Sequence, residues 1–357
     1  MRNALPRFAA VLAVVLLFGC GGDGPTAPSG PGGGPAGGSP GGGGNPIPGP
    51  GLTLTLGTLR LTGAQDASCP TGERCQEFEL SCPGVVGSIG GFVAVTDPIG
   101  APRGVVVFTT GSGGENYALG GGEREALQQQ LQADGFRVVQ LRWGANWIEA
   151  ERGNDAGTAR LACRPATAFK WIHATQFLPL GIPRSSNGRC GFCLTGNSGG
   201  ASQVSFALSH YGLDDVVDAI IPTGGPPHGA LTKACLRRPG EERFWFPDDT
   251  RQFIDRGFGF YADGPCFRND DAFSSRWDQE SIATGGSDYT HPATRVQFII
   301  GDLDRTNIQG PADDYAARLR AAGSPWVSME TAAGTPHNVL GSAVGRSAVR
   351  AALLATR

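Results

Sequence analysis

The chain has 357 residues, a formal net charge of −3 and no block of basic residues, which argues against a nucleic-acid binder. Its 57 glycines are about twice ordinary usage, so part of the length must be low-complexity and only the remainder can form a core. That remainder suits one large α/β domain carrying an insertion.

Arg2 and Arg7 flank the start of an apolar run from Phe8 to Phe18, followed by Gly19 and Cys20. The run is too short to span a bilayer, so residues 1–19 are expected to be a signal peptide. Leu17-Phe18-Gly19-Cys20 resembles the lipobox of bacterial lipoproteins. That resemblance implies an acylated Cys20, with the lipid as the only membrane contact and the body facing the periplasm or the cell exterior. Residues 20–51 are almost entirely Gly, Pro, Ser, Ala and Asn, which have little to bury, and should form a disordered tether with an average reach of ~30 Å. The folded body is then 52–357.

Leu52–Leu56, Phe78–Leu80 and Phe92–Val95 read as strands of an antiparallel edge. Gly104–Phe108 is continuously apolar, as a strand covered on both faces must be. A helix over Glu123–Asp134, a strand Phe136–Leu141, helical residues around Phe169 and Ile172, and a strand Cys190–Thr195 follow. Then come helix Gly200–His210, strand Val216–Ile221, strand Val296–Ile300, helix Ala312–Ala322, a short strand near Trp326–Met329 and a last helix through Val349 and Leu353. This alternation predicts an α/β protein with a mostly parallel central sheet and helices on both faces. Residues 226–291 interrupt it with a segment rich in Phe, Trp, Tyr and Pro. The segment reads either as a satellite core or as a cap presenting aromatic surface to a substrate.

Gly196-Asn197-Ser198-Gly199-Gly200 fits Gly-x-Ser-x-Gly, in which a strained strand-to-helix turn lifts a serine hydroxyl above the sheet. Gly37–Gly41 also fits, by accident of composition, so context decides. Ser198 follows an apolar strand and opens a helix, whereas Ser39 does neither. From about Arg103 onward the chain resembles the α/β-hydrolase fold, whose catalytic order of serine, acid and histidine is met by Ser198, Asp304 and His337.

The resemblance implies a serine hydrolase acting through an acyl-enzyme, of carboxylic-ester type and related to esterases, lipases or polyester depolymerases. His337 lies between the last strand and the last helix, where the family carries its base. His228, just after the strand that follows the nucleophile helix, is the rival and better suits a substrate-binding residue, as does Trp245 in the insertion. In Gly301-Asp302-Leu303-Asp304 the family's spacing selects Asp304 as acid, with Asp302 as competitor. Gly199 and either Ser112 or Gly113 of the Gly-rich turn 111–114 should supply the oxyanion N–H groups. Where the family commonly has a His before that turn, this chain has Thr110. A serine peptidase on the same scaffold, and a catalytically silent surface-binding lipoprotein, are the competing functions.

Beyond Cys20, eight cysteines remain, an even set that in an exported chain reads as disulfides. Cys235 with Cys266 is the local expectation. Cys190-Gly191-Phe192-Cys193, if it lies in a strand, separates its Cα atoms by ~10 Å, too far to bridge, so each cysteine should pair elsewhere or remain a thiol. No metal-ligand spacing and no phosphate-cradling loop occurs, so neither metal nor cofactor is expected. The expected partner is a small or polymeric ester substrate.

Overall fold

The computed structural model describes residues 54–356, apart from Gln65, Ser185 and Ser186. The signal peptide, Cys20 and the tether therefore lie outside the described residues. Among these residues four successive strands come first and five more alternate with helices: β1 (Thr58–Leu61), β2 (Arg74–Ser81), β3 (Ser88–Thr96), β4 (Gly104–Thr109), α1 (Glu123–Ala133), β5 (Phe136–Trp143), α2 (Thr158–Leu161), α3 (Cys163–Ile172), β6 (Phe192–Asn197), α4 (Gly199–Ser209) and β7 (Ala219–Thr223). The inserted helices α5 (Leu231–Leu236), α6 (Asp248–Arg256) and α7 (Ser274–Glu280) precede β8 (Arg295–Gly301), α8 (Gln309–Ala321), β9 (Val327–Ala332) and α9 (Ala343–Leu354).

The strands form one sheet in the order β1-β2-β3-β5-β4-β6-β7-β8-β9. β1, β2 and β3 pair antiparallel, and β3 is antiparallel to β5; from β5 across to β9 every pairing is parallel. Successive residues of a strand face opposite sides. In β4 this sends Val105 and Val107 to one buried cluster, with residues of α3, α4 and α8, and Val106 and Phe108 to another, with residues of α1 and α9. Both faces are therefore covered, which is why β4 is buried along its whole length.

Three expectations need correction. The alternating stretch 52–56 is not a strand over its described residues: pairing begins only where Thr58 meets Ser81. Gly57 is pressed against the Ser81 carbonyl and donates its N–H to Thr167 Oγ1 at 2.7 Å, while Leu54 and Leu56 pack on the core without a ladder. The insertion has no satellite core, because Phe246, Phe258 and Trp277 join the main cluster. Finally, Cys190 and Cys193 are bonded to each other. β6 starts at Phe192, so Cys190 and Gly191 lie in the bend before it, and the Cα atoms are 5.6 Å apart instead of the strand distance. The other bridges are Cys69–Cys75, Cys82–Cys163 and the expected Cys235–Cys266. Among the described residues no helix is long and apolar enough to cross a membrane.

Candidate active site

Ser198 sits between the end of β6 and the start of α4 with φ 55° and ψ −116°. A non-glycine residue rarely adopts such a backbone, and it persists only where its surroundings fix it. The fixing contacts are visible. Ser198 N–H donates to the Thr223 carbonyl at 2.9 Å, and the Ser198 carbonyl accepts from Ser202 N–H at 3.1 Å. A Cβ on Gly196 would lie 2.1 Å from Thr109 Oγ1, and one on Gly200 would lie 2.9 Å from the carbonyl oxygens of Thr109 and Thr110. The flanking glycines are thus required by the close approach of β4 and the turn after it.

That turn is the Gly-rich loop 111–114. Ser112, at φ 50°, lies against the first residue of α4: a Cβ on Gly199 would be 2.4 Å from the Ser112 carbonyl oxygen and 3.0 Å from its nitrogen. As the first residue of its helix, Gly199 has no acceptor for its N–H within the helix. Gly113 packs instead against Asn146, and its carbonyl accepts from Trp147 N–H at 3.1 Å. Ser112 is therefore the member of this pair that lies against Gly199. Thr110 anchors the loop through its hydroxyl, which donates to the Asn116 carbonyl at 3.0 Å. From behind, Gln203 of α4 accepts from the Trp143 indole at 3.0 Å and reaches the Thr110 carbonyl at 3.5 Å.

His337 follows β9 and Asp304 follows β8, and the two meet with Nδ1 to Oδ2 at 2.7 Å. Burial works to raise the Asp304 carboxyl, but hydrogen bonds from His337 and from the hydroxyl and N–H of Thr306 outweigh it and hold the group below the usual carboxylate range. An ionised carboxylate can only accept, so the imidazole carries its proton on Nδ1 and keeps Nε2 as an acceptor. Thr306 braces the pair, donating to Asp304 Oδ1 at 2.6 Å with its oxygen 3.1 Å from His337 Nδ1. Asp302 is exposed and accepts from Thr335 N–H at 3.1 Å, tying β8 to the histidine loop without reaching the ring.

Ser198 and His337 line one cleft of about 440 Å³, together with Thr110, Ser112, Arg124 and Asn338; no hydrogen bond joins the Ser198 hydroxyl to the ring. Catalytic hydrogen bonds are often long in ligand-free enzymes. A second cleft of about 320 Å³ opens on the other side of Ser198 and Ser112, walled by Pro227, His228 and, from the insertion, Phe246, Phe253 and Ile254. The serine thus stands where two clefts meet, the second combining this apolar wall with Asp249, Thr250 and Arg256. His228 is buried, with Nδ1 2.8 Å from Ser202 Oγ, and burial pushes it down to about 3, so it stays neutral and has no carboxylate partner. Trp245 does not line either cleft; its carbonyl accepts from Asn307 at 2.7 Å, and its neighbour Phe246 forms the wall.

Sequence reasoning passed over Asn197, whose side-chain oxygen accepts from Val339 N–H and from the Thr223 hydroxyl, both at 3.1 Å. It couples the serine turn to the histidine loop. It also passed over Thr306, although Asp304-Arg305-Thr306 carries an Asx-turn signature that could have revealed it. Away from this site, Asp288 and His291, three residues apart, come together with Asp214 from a distant part of the chain.

No family model matches the chain, and no curated protein does. Solved structures similar to it include a hyperthermophilic esterase from the archaeon Pyrobaculum calidifontis (16% identity, TM-score 0.47, 78% of this chain and 82% of that one). A bacterial heroin esterase (18%, 0.46, 79% and 83%) and Est1E from Butyrivibrio proteoclasticus (14%, 0.45, 78% and 98%) are also similar. All are below 25% identity with TM-scores under 0.5, so the fold rests on the strand order and turns of this chain itself. With its mostly parallel nine-stranded sheet, antiparallel first strands and strand–serine–helix turn, the described body has the α/β-hydrolase fold.

Proposed function

We propose that this chain is a serine hydrolase that cleaves carboxylic esters through an acyl-enzyme. The observation that carries the reading is His337, its Nδ1 2.7 Å from Asp304 Oδ2, in the same cleft as a serine at a strained turn. Ser198 Oγ attacks the acyl carbon as His337 Nε2 takes its proton, and the N–H groups of Gly199 and Ser112 receive the negative oxygen. Collapse breaks the ester C–O bond, and His337 returns the proton to the departing alkoxide. Water then attacks the acyl-enzyme with the same histidine as base, regenerating Ser198 and releasing the acid.

The aromatic and aliphatic wall of the smaller cleft suits an apolar acyl group, and the cleft beside Arg124 and Asn338 suits a polar leaving alcohol. The four disulfides favour an oxidising compartment, in keeping with export and an acyl anchor at Cys20. Labelling by a fluorophosphonate that disappears in Ser198→Ala, with turnover of chromogenic esters exceeding that of peptide amides, is the expected result. An unlabelled, correctly oxidised protein would return the silent surface-binding reading, and preferred amide cleavage would make it a peptidase.

A further inference from the structure

Asp214 lies in the short turn after α4, while Asp288 and His291 close the insertion just before β8. The fold brings one ligand atom from each to within 4.8 Å of the others. His291 is fully buried, and neither of its ring nitrogens has a hydrogen-bond partner. A buried imidazole with two idle nitrogens is uncommon, because burying a polar group without a partner is costly. Among the described residues no arginine or lysine forms an ion pair with Asp214 or Asp288, although Lys170 pairs with the adjacent Asp215. Two carboxylates and an imidazole therefore converge with no ion-paired cation among the described residues; Arg184 donates to the Asp214 backbone carbonyl, not to its carboxylate.

We propose that Asp214, Asp288 and His291 bind a divalent transition metal of the Zn²⁺ class and so clip the end of the insertion to the turn after the nucleophile helix. One imidazole and two carboxylates match a three-ligand zinc site completed by water, whereas Ca²⁺ and Mg²⁺ favour oxygen donors throughout. Zinc bonds of about 2.0–2.2 Å require donors roughly 3.3 Å apart, so the side chains must close in slightly. Asp288 is exposed, with its Oδ1 accepting from Thr290 N–H at 2.7 Å, while His291 is held in place through its backbone N–H, which donates to Ser324 Oγ at 2.8 Å. The site is structural: the 11 residues of α4, at about 1.5 Å each, put roughly 16 Å of helix between it and Ser198.

The test uses the full-length chain, stripped with a chelator and titrated with ZnCl₂ by calorimetry, with metal content counted after dialysis. One Zn²⁺ per chain is expected, bound more tightly than Ca²⁺, and at a hundred times its Kd it should raise the folded-to-unfolded ratio about a hundredfold. Asp288→Asn, at an exposed position where folding is not at risk, should weaken Zn²⁺ binding at least tenfold and abolish the metal-induced rise in Tm, leaving metal-free Tm and ester turnover unchanged. Asp214→Asn should weaken binding similarly. Absence of saturable binding below about 100 µM, equal or tighter Ca²⁺ binding, or Zn²⁺ binding insensitive to both substitutions would each overturn the proposal, the last assigning the metal to another site and leaving the three side chains as a His–Asp cluster.

Discussion

Asp304→Asn separates the two acids that the sequence left in competition, and its effect follows from one proton. In the wild type the Asp304 carboxylate accepts from His337 Nδ1 at 2.7 Å, and Thr306 donates to its other oxygen at 2.6 Å. The Thr306 hydroxyl and N–H already donate to Oδ1, so an asparagine there must keep its carbonyl toward Thr306 and turn its NH₂ toward the ring. The imidazole then has to accept on Nδ1 and move its proton to Nε2, where it can no longer take the serine proton. The same tautomer change in serine proteases costs about four decades in kcat, which at 1.36 kcal/mol per decade is about 5 kcal/mol of transition-state stabilisation. Asp302→Asn, which perturbs only an exposed acceptor for Thr335 N–H, should cost less than about tenfold. The assay is kcat and KM on one chromogenic ester for both variants, with fluorophosphonate labelling rates alongside. Equal losses in the two variants, or a larger loss in Asp302→Asn, would refute the assigned tautomer and with it the proposed base.

Gly199→Ala puts a methyl group 2.4 Å from the Ser112 carbonyl oxygen; because that neighbour is backbone, the loop must shift, and kcat should fall about 10²–10³-fold with little change in KM if Ser112 N–H serves the oxyanion. Phe253→Ala opens the apolar wall and should raise KM for bulky acyl groups while leaving acetyl esters nearly unaffected, a contrast read from an ester chain-length series. Glu280 is buried under α2, accepting from Ala159 N–H at 2.6 Å; burial raises its carboxyl from 4.5 to about 7, and the cation of Arg276 at 3.0 Å offsets only part of that. The folded chain therefore holds the proton more tightly than the unfolded one. Its contribution is full below about pH 4.5 and is lost as pH rises through about 7, roughly 3 kcal/mol in all. Urea unfolding at pH 5 and pH 8 should show that slope in the wild type and a flatter one in Glu280→Gln; parallel slopes would contradict the buried-carboxyl account.

Residue order and hydrophobic pattern alone determined the layered α/β architecture, since β4, β6, β7 and β8 are too uniformly apolar to face water on either side. The motif around Ser198 was equally legible, because small residues flanking a serine between a strand and a helix have few other uses. What the tertiary structure decided depends on contacts between distant segments, whose register no local pattern encodes. It brought Asp304 rather than Asp302 to His337, turned Ser112 rather than Gly113 toward Gly199, and made Phe246 rather than Trp245 the cleft wall. It joined Cys190 to Cys193 because β6 begins two residues later than its apolar run suggests, and a shift of two residues changes a Cα separation by several ångströms. Asp214 beside Asp288 and His291 is the extreme case: the latter two are three residues apart, but nothing in the sequence links them to Asp214, and only the packing of the insertion against the end of α4 makes the three neighbours.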